Sequence, residues 1–80
     1  MARYYFQIVE RNAVLDDLEG AELLSLQDAK REAERAIREI AAEHLQTESR
    51  LELTSIQIRN ETGETVASVT YDEAMEDILP

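Results

Sequence analysis

Residues Arg3 to Val9 alternate apolar and polar side chains at every second position, and Thr54 to Tyr71 do the same in two runs. Between them, Leu26 to Leu45 repeats apolar residues every three to four positions. The first period is that of a half-buried strand and the second that of an amphipathic helix, so together they predict a small sheet carrying one helix. In the opening strand Tyr4, Phe6 and Ile8 make the better core face, with Tyr5, Gln7 and Val9 opposite. Arg11-Asn12-Ala13 reads as a polar turn and Val14-Leu15 as a second, shorter strand. Gly20 takes positive φ cheaply and marks a bend, after which Ala21 to Leu24 leads to the helix.

Ser25 suits an N-cap, because its hydroxyl can accept from an otherwise unpaired amide, and Asp28 places negative charge where the helix dipole favours it. The predicted apolar stripe is Leu26, Ala29, Ala33, Ala36, Ile37, Ile40, Ala41 and Leu45, and its alanines allow close approach to a sheet. Lys30, Arg31, Glu34, Arg35, Arg38 and Glu39 lie opposite, with Thr47 and Ser49 at the exit. Thr54, Ile56 and Ile58 form the apolar face of a third strand. The stretch Asn60 to Glu64 is a hairpin loop with Gly63 at a positive-φ or bulge position. Ala67, Val69 and Tyr71 are the expected core side of the returning strand, with Val66 brought inward if a bulge at Gly63 shifts the phase. Asp72 is the expected cap of a short helix from Glu73 to Leu79, ending at Pro80.

The order is ββαββ. A right-handed crossover through the helix sets the third strand beside the first, so the predicted fold is α+β: a four-stranded antiparallel sheet in spatial order 2-1-3-4 with one long helix on one face. Eighty residues are read as a single domain, 1–80. Such a chain buries only about 60% of its unfolded surface, and with no cysteine to staple it the expected stability is a few kcal/mol.

Charge narrows the choice of partners. The formal net charge is −10, which repels nucleic acid at long range, and residues 51–80 carry a single base, Arg59. The helix holds a basic ridge of Lys30, Arg31, Arg35 and Arg38, but Glu32, Glu34 and Glu39 are interleaved with it, so a salt-bridge-laced face outranks a nucleic-acid surface. No apolar run approaches the roughly 20 residues of a membrane span, and the opening lacks the long apolar core of a secretory signal; a cytoplasmic protein is expected.

Candidate chemistry is sparse. Asp16, Asp17, Glu19 and Glu22 are oxygen donors of the kind hard cations prefer, but they lack the spacing of an EF-hand loop, and a solvated turn that discourages edge pairing is the stronger reading. His44, the sole histidine, sits on or beside the apolar stripe and has no nearby Cys or Ser with which to build a nucleophilic triad. Ser55 and Ser68 read as solvent-face strand residues. No residue is assigned a catalytic, cofactor-binding or metal-ligating role. The sheet face away from the helix, displaying Tyr5, Gln7, Val9, Ser55, Gln57, Ser68 and Thr70, is the surface that invites a partner, because one helix cannot cover both sides of a sheet.

Tyr4-Tyr5-Phe6, the Asp17-Leu18-Glu19-Gly20 turn followed by Glu22-Leu23, Asp28-Ala29 and Glu32-Ala33, and Glu61-Thr62-Gly63-Glu64 before Val66 and Val69 resemble a family of small bacterial proteins known only as a domain of unknown function. Members often carry a histidine after the aromatic opening, where this chain has Gln7. The resemblance implies the fold and no activity. In the order of strand, acidic turn and helix the chain is also similar to antitoxins of the HicB type, whose small domain neutralises a ribonuclease toxin. The function expected is a small non-enzymatic protein-interaction or regulatory module that binds a protein partner or a second copy. The alternative is an antitoxin-like domain neutralising a basic nuclease.

Overall fold

The computed structural model describes residues 1–47 and 52–76. Its elements are β1 (Ala2–Glu10), β2 (Val14–Leu15), β3 (Ala21–Leu23), α1 (Leu26–Thr47), β4 (Leu53–Arg59), β5 (Thr65–Thr70) and α2 (Tyr71–Glu76). The fold is α+β, with α1 packed on one face of an antiparallel sheet. The sheet has five strands where the expected order 2-1-3-4 had four: the path β2-β1-β4-β5 takes the four expected strands in turn, and the correction is the unforeseen β3, which pairs β1 as well. The added strand is three residues long, too short for alternation to announce it, and it exists because Ala21, Glu22 and Leu23 pair with Tyr4, Arg3 and Ala2.

Backbone groups of successive strand residues point to opposite edges. Glu10 donates its N–H to the Ala13 carbonyl and Phe6 donates to Asp17, whereas the Val9 carbonyl accepts from the Thr54 hydroxyl on the β4 side. Thus β2 and β3 share the edge of β1 that faces away from β4, one at each end, separated by the loop Asp16 to Gly20.

Helix α1 starts where its cap predicts, with the Asp28 N–H donating to Ser25 Oγ at 3.2 Å. Ala29, Ala33 and Ile37 are fully buried against Ile56, Ile58 and Val69, and Tyr4, Phe6, Ile8, Leu26 and Ile40 pack around them. The stripe is therefore the inner face. The side chain of Leu45, and Ser49 altogether, lie outside the described residues.

Two bulges correct the expected phase. Val9 pairs Ser55 but Glu10 pairs Leu53, leaving Thr54 as the extra residue. A one-residue insertion reverses the faces beyond it, so Leu53 is buried and Thr54 exposed, the reverse of the expected assignment for Thr54. At the other end Ile58 pairs Ala67 while Arg59 pairs Thr65, which leaves Val66 unpaired and 38% exposed rather than turned inward. Helix α2 begins at Tyr71, two residues before the expected start. Its cap is Thr70 instead of Asp72: Thr70 Oγ1 accepts the Glu73 N–H at 3.1 Å and Glu73 Oε1 accepts the Thr70 N–H at 3.2 Å, a reciprocal capping box. Ala74 closes the core from this side. Leu79 and Pro80 lie outside the described residues.

Candidate functional site

The acidic turn predicted between Asp16 and Glu22 is built around one inward carboxylate. Asp17 Oδ2 accepts the Phe6 N–H at 3.1 Å, and Oδ1 accepts those of Glu19 at 3.2 Å and Gly20 at 3.0 Å. A side chain thus completes the edge of β1 across the gap between β2 and β3, where no strand partner reaches Phe6. Partial burial pushes the Asp17 pKa up, but the three amide donors of Gly20, Phe6 and Glu19 together outweigh it and hold the carboxyl below its ordinary value. Gly20 closes the loop at φ +71°. A Cβ there would lie 2.8 Å from the Tyr4 carbonyl oxygen and 2.9 Å from two carbons of the Tyr5 ring, so the aromatic side chain rests on the glycine backbone.

The other acids of the turn point elsewhere. Asp16 accepts from the Gln7 amide at 2.6 Å, and Glu22 pairs with Arg3 at 3.1 Å, while a second Arg3 nitrogen donates to the Glu19 carbonyl. Their carboxylates diverge. Among the described residues no group of three or more His, Cys, Asp or Glu side chains is placed to hold a metal ion. Two members of the basic ridge are paired within their own helix: Arg31 with Asp28, and Arg35 with both Glu32 and Glu39. Arg38 reaches across to donate to the Ala74 carbonyl at the end of α2. His44 is half-buried on α1.

On the open face of the sheet, Tyr5, Gln7 and Val9 of β1 stand beside Arg59, Gln57 and Ser55 of β4, and the last two stand beside Ser68 and Thr70 of β5. Directly paired residues share a face, so this is the surface expected from alternation, with Arg59 added. Arg59 donates to Gln7 Oε1 at 3.0 Å, and through the Gln7 side chain the hydrogen bonds run on to Asp16, linking β4, β1 and the turn. Its Nε is buried without a hydrogen-bond partner. Together with Leu18, Glu61 and the turn, these side chains enclose a cleft of about 280 Å³. A second cleft, of about 310 Å³, lies between the hairpin and the start of α1 and is lined by Tyr4, Leu26 and Val66.

The two halves of the open face differ in chemistry. The β4–β5 half is polar. The β1–β2 half runs into exposed aliphatic residues: Val14 is 54% exposed, Leu18 89% and Leu24 78%, while Leu15, 50% exposed, pairs Ile8 and so lies on the helix side of the sheet. Apart from Met1 and Val66, the large apolar side chains exposed among the described residues all fall within these eleven positions. Sequence reasoning placed Tyr5 and Val9 on this face but missed Val14, Leu18 and Leu24. Their signal is the acid-rich stretch in which they stand, since a strand flanked by Asp and Glu at nearly every polar position is one that solvent reaches.

The family described as "Domain of unknown function (DUF6894)" matches residues 3–72, nearly all of the elements above. The chain belongs to that family. No curated protein and no solved structure matches it. For a DUF6894 domain, function therefore has to be argued from its own surfaces. Among the described residues no helix is long and apolar enough to cross a membrane.

Proposed function

We propose that this DUF6894 domain is a non-enzymatic interaction module that binds another protein through the β1–β2 half of the open sheet face. The observation that supports this reading is the concentration of Val14, Leu18 and Leu24 at one sheet margin, each more than half exposed. Isolated exposed leucines are ordinary, but several along an uncovered edge are a standing association risk unless a partner uses them. The inward carboxylate of the acidic turn, Asp17, is engaged by three backbone amides, which hold it below its ordinary pKa and leave it a structural role. The antitoxin-like alternative is a special case of the same reading in which the partner is a nuclease.

A photo-reactive amino acid placed at Leu18 and, separately, at Glu39 on the outer face of α1 tests the proposal in the native cell. Crosslinks to a defined protein from position 18 and none from position 39 are expected. Equal labelling from both positions, or none from position 18, would refute the assignment.

A further inference from the structure

Resting on that reading, we infer the chemistry of the partner: the margin formed by Val14, Leu18 and Leu24 takes a basic, aliphatic-bearing segment of another protein. From the Ala2–Leu23 pair to the Val9–Val14 pair the margin runs alongside seven steps of β1, roughly 23 Å at strand rise. That length matches an extended segment of about seven or eight residues.

Charge complementarity selects the segment. Asp16, Glu19 and Glu22 punctuate the aliphatic residues, and Glu61 lines the same cleft as Leu18. Two cations, Arg59 in the cleft and Arg3 paired with Glu22, offset part of this charge, and against the five carboxylates Asp16, Asp17, Glu19, Glu22 and Glu61 the margin stays net negative. A second copy of this chain would bring the same carboxylates against themselves. Of its helix ridge, Arg31, Arg35 and Arg38 already have partners in Asp28, Glu32, Glu39 and the Ala74 carbonyl, with which an incoming copy would compete. Lysine or arginine side chains between aliphatic ones satisfy both parts of the surface: the aliphatic residues cover Leu18 and Val14, and the cations meet Asp16, Glu19 and Glu61 over the Tyr5 ring, whose face attracts a cation.

The test is an amide-resolved NMR titration with two ten-residue peptides, one alternating lysine and valine and the other alternating glutamate and valine. The lysine peptide is expected to shift the amides of residues 5–9 and 14–24, with an affinity that falls severalfold when salt screens the charges. Val14→Ser with Leu18→Ser is expected to weaken it about tenfold, and Asp16→Asn with Glu19→Gln to flatten its salt dependence, with the circular dichroism spectrum of both variants unchanged. Shifts centred on Asp72 to Glu76, an equally acidic surface without the aliphatic residues, would overturn the inference as diffuse charge attraction. Comparable binding of the glutamate peptide would overturn it, and so would a dimer in sedimentation that protects Leu18. A partner crosslinked at Leu18 through a segment lacking Lys and Arg would defeat this inference while leaving the interaction module standing; no crosslink at Leu18 would defeat both.

Discussion

Two loops of this chain are built from the same parts and do different work. In Asp16 to Gly20 the side chain of Asp17 collects the N–H groups of Glu19 and Gly20, and in the hairpin Asn60 Oδ1 collects those of Thr62 and Glu64. Each loop turns on a glycine with positive φ, +71° at Gly20 and +87° at Gly63. The turn of the hairpin is held by bonds within Asn60 to Glu64, with Glu61 reaching out to accept the Arg3 N–H at 3.2 Å, and a Cβ at Gly63 would meet nothing within 4 Å. The acidic loop reaches beyond itself: Asp17 also holds Phe6, and Gly20 lies under Tyr4 and Tyr5. One loop reverses the chain, and the other fastens the edge of β1 that leads into the exposed margin.

The contrast is sharpest at the glycines. Gly20→Ala adds left-handed strain of about 1–2 kcal/mol and overpacking against backbone and ring of about 1–3 kcal/mol. A domain stable by a few kcal/mol should be largely unfolded by it, as measured by urea denaturation. Gly63→Ala, with open space around it, should cost only the strain, about 1 kcal/mol. If the two substitutions cost the same, the Tyr5–Gly20 contact is not what distinguishes the loops.

Asp17→Ala should come next, at about 1–2 kcal/mol, since it strands the Phe6 amide at a half-buried position. Asn60→Ala, which removes only local bonds at an exposed turn, should cost less than about 1 kcal/mol in the same measurement. The charge of Asp17 gives the acidic loop a pH signature. The folded-state pKa of Asp17 lies below its ordinary value of 3.8, so its contribution is fully present above about pH 4 and is lost as pH falls through the folded pKa. Thermal melts between pH 6 and pH 2 should show a smaller acid-induced drop in Tm for Asp17→Asn than for the parent. An identical drop would mean that the carboxylate charge is not coupled to folding. The smallest effect is expected at the margin itself: Leu18→Ser should change stability by no more than about 0.5 kcal/mol, because this side chain is 89% exposed.

Local patterns carried much of the architecture. The 3.6-residue period marked which residues of α1 are buried, and Ser25 marked its start. Alternation sorted β1 into Tyr4, Phe6 and Ile8 beneath the helix and Tyr5, Gln7 and Val9 on the open face. The errors fall where a pairing partner overrides the local pattern. Leu53 rather than Thr54 is buried because β4 gains a residue against β1, and Val66 stays outside because β5 gains one against β4. Thr70 caps α2 because its strand ends there, although Asp72 has the better intrinsic cap chemistry.

The candidate surface was legible in part. Alternation alone showed that a face with Tyr5 and Val9 lies away from the helix, because side chains two apart must share a side whatever surrounds them. Net charge, the lack of cysteine and the poverty of catalytic groups are also properties of composition and need no coordinates. Long-range pairing decided the rest: β3 exists only against the start of β1, Asp17 turns inward because Phe6 has no strand partner on the edge away from β4, and Val14, Leu18 and Leu24 are bare because no described residue covers that edge. These are contacts between residues distant along the chain, and no window of neighbouring residues contains both sides of them.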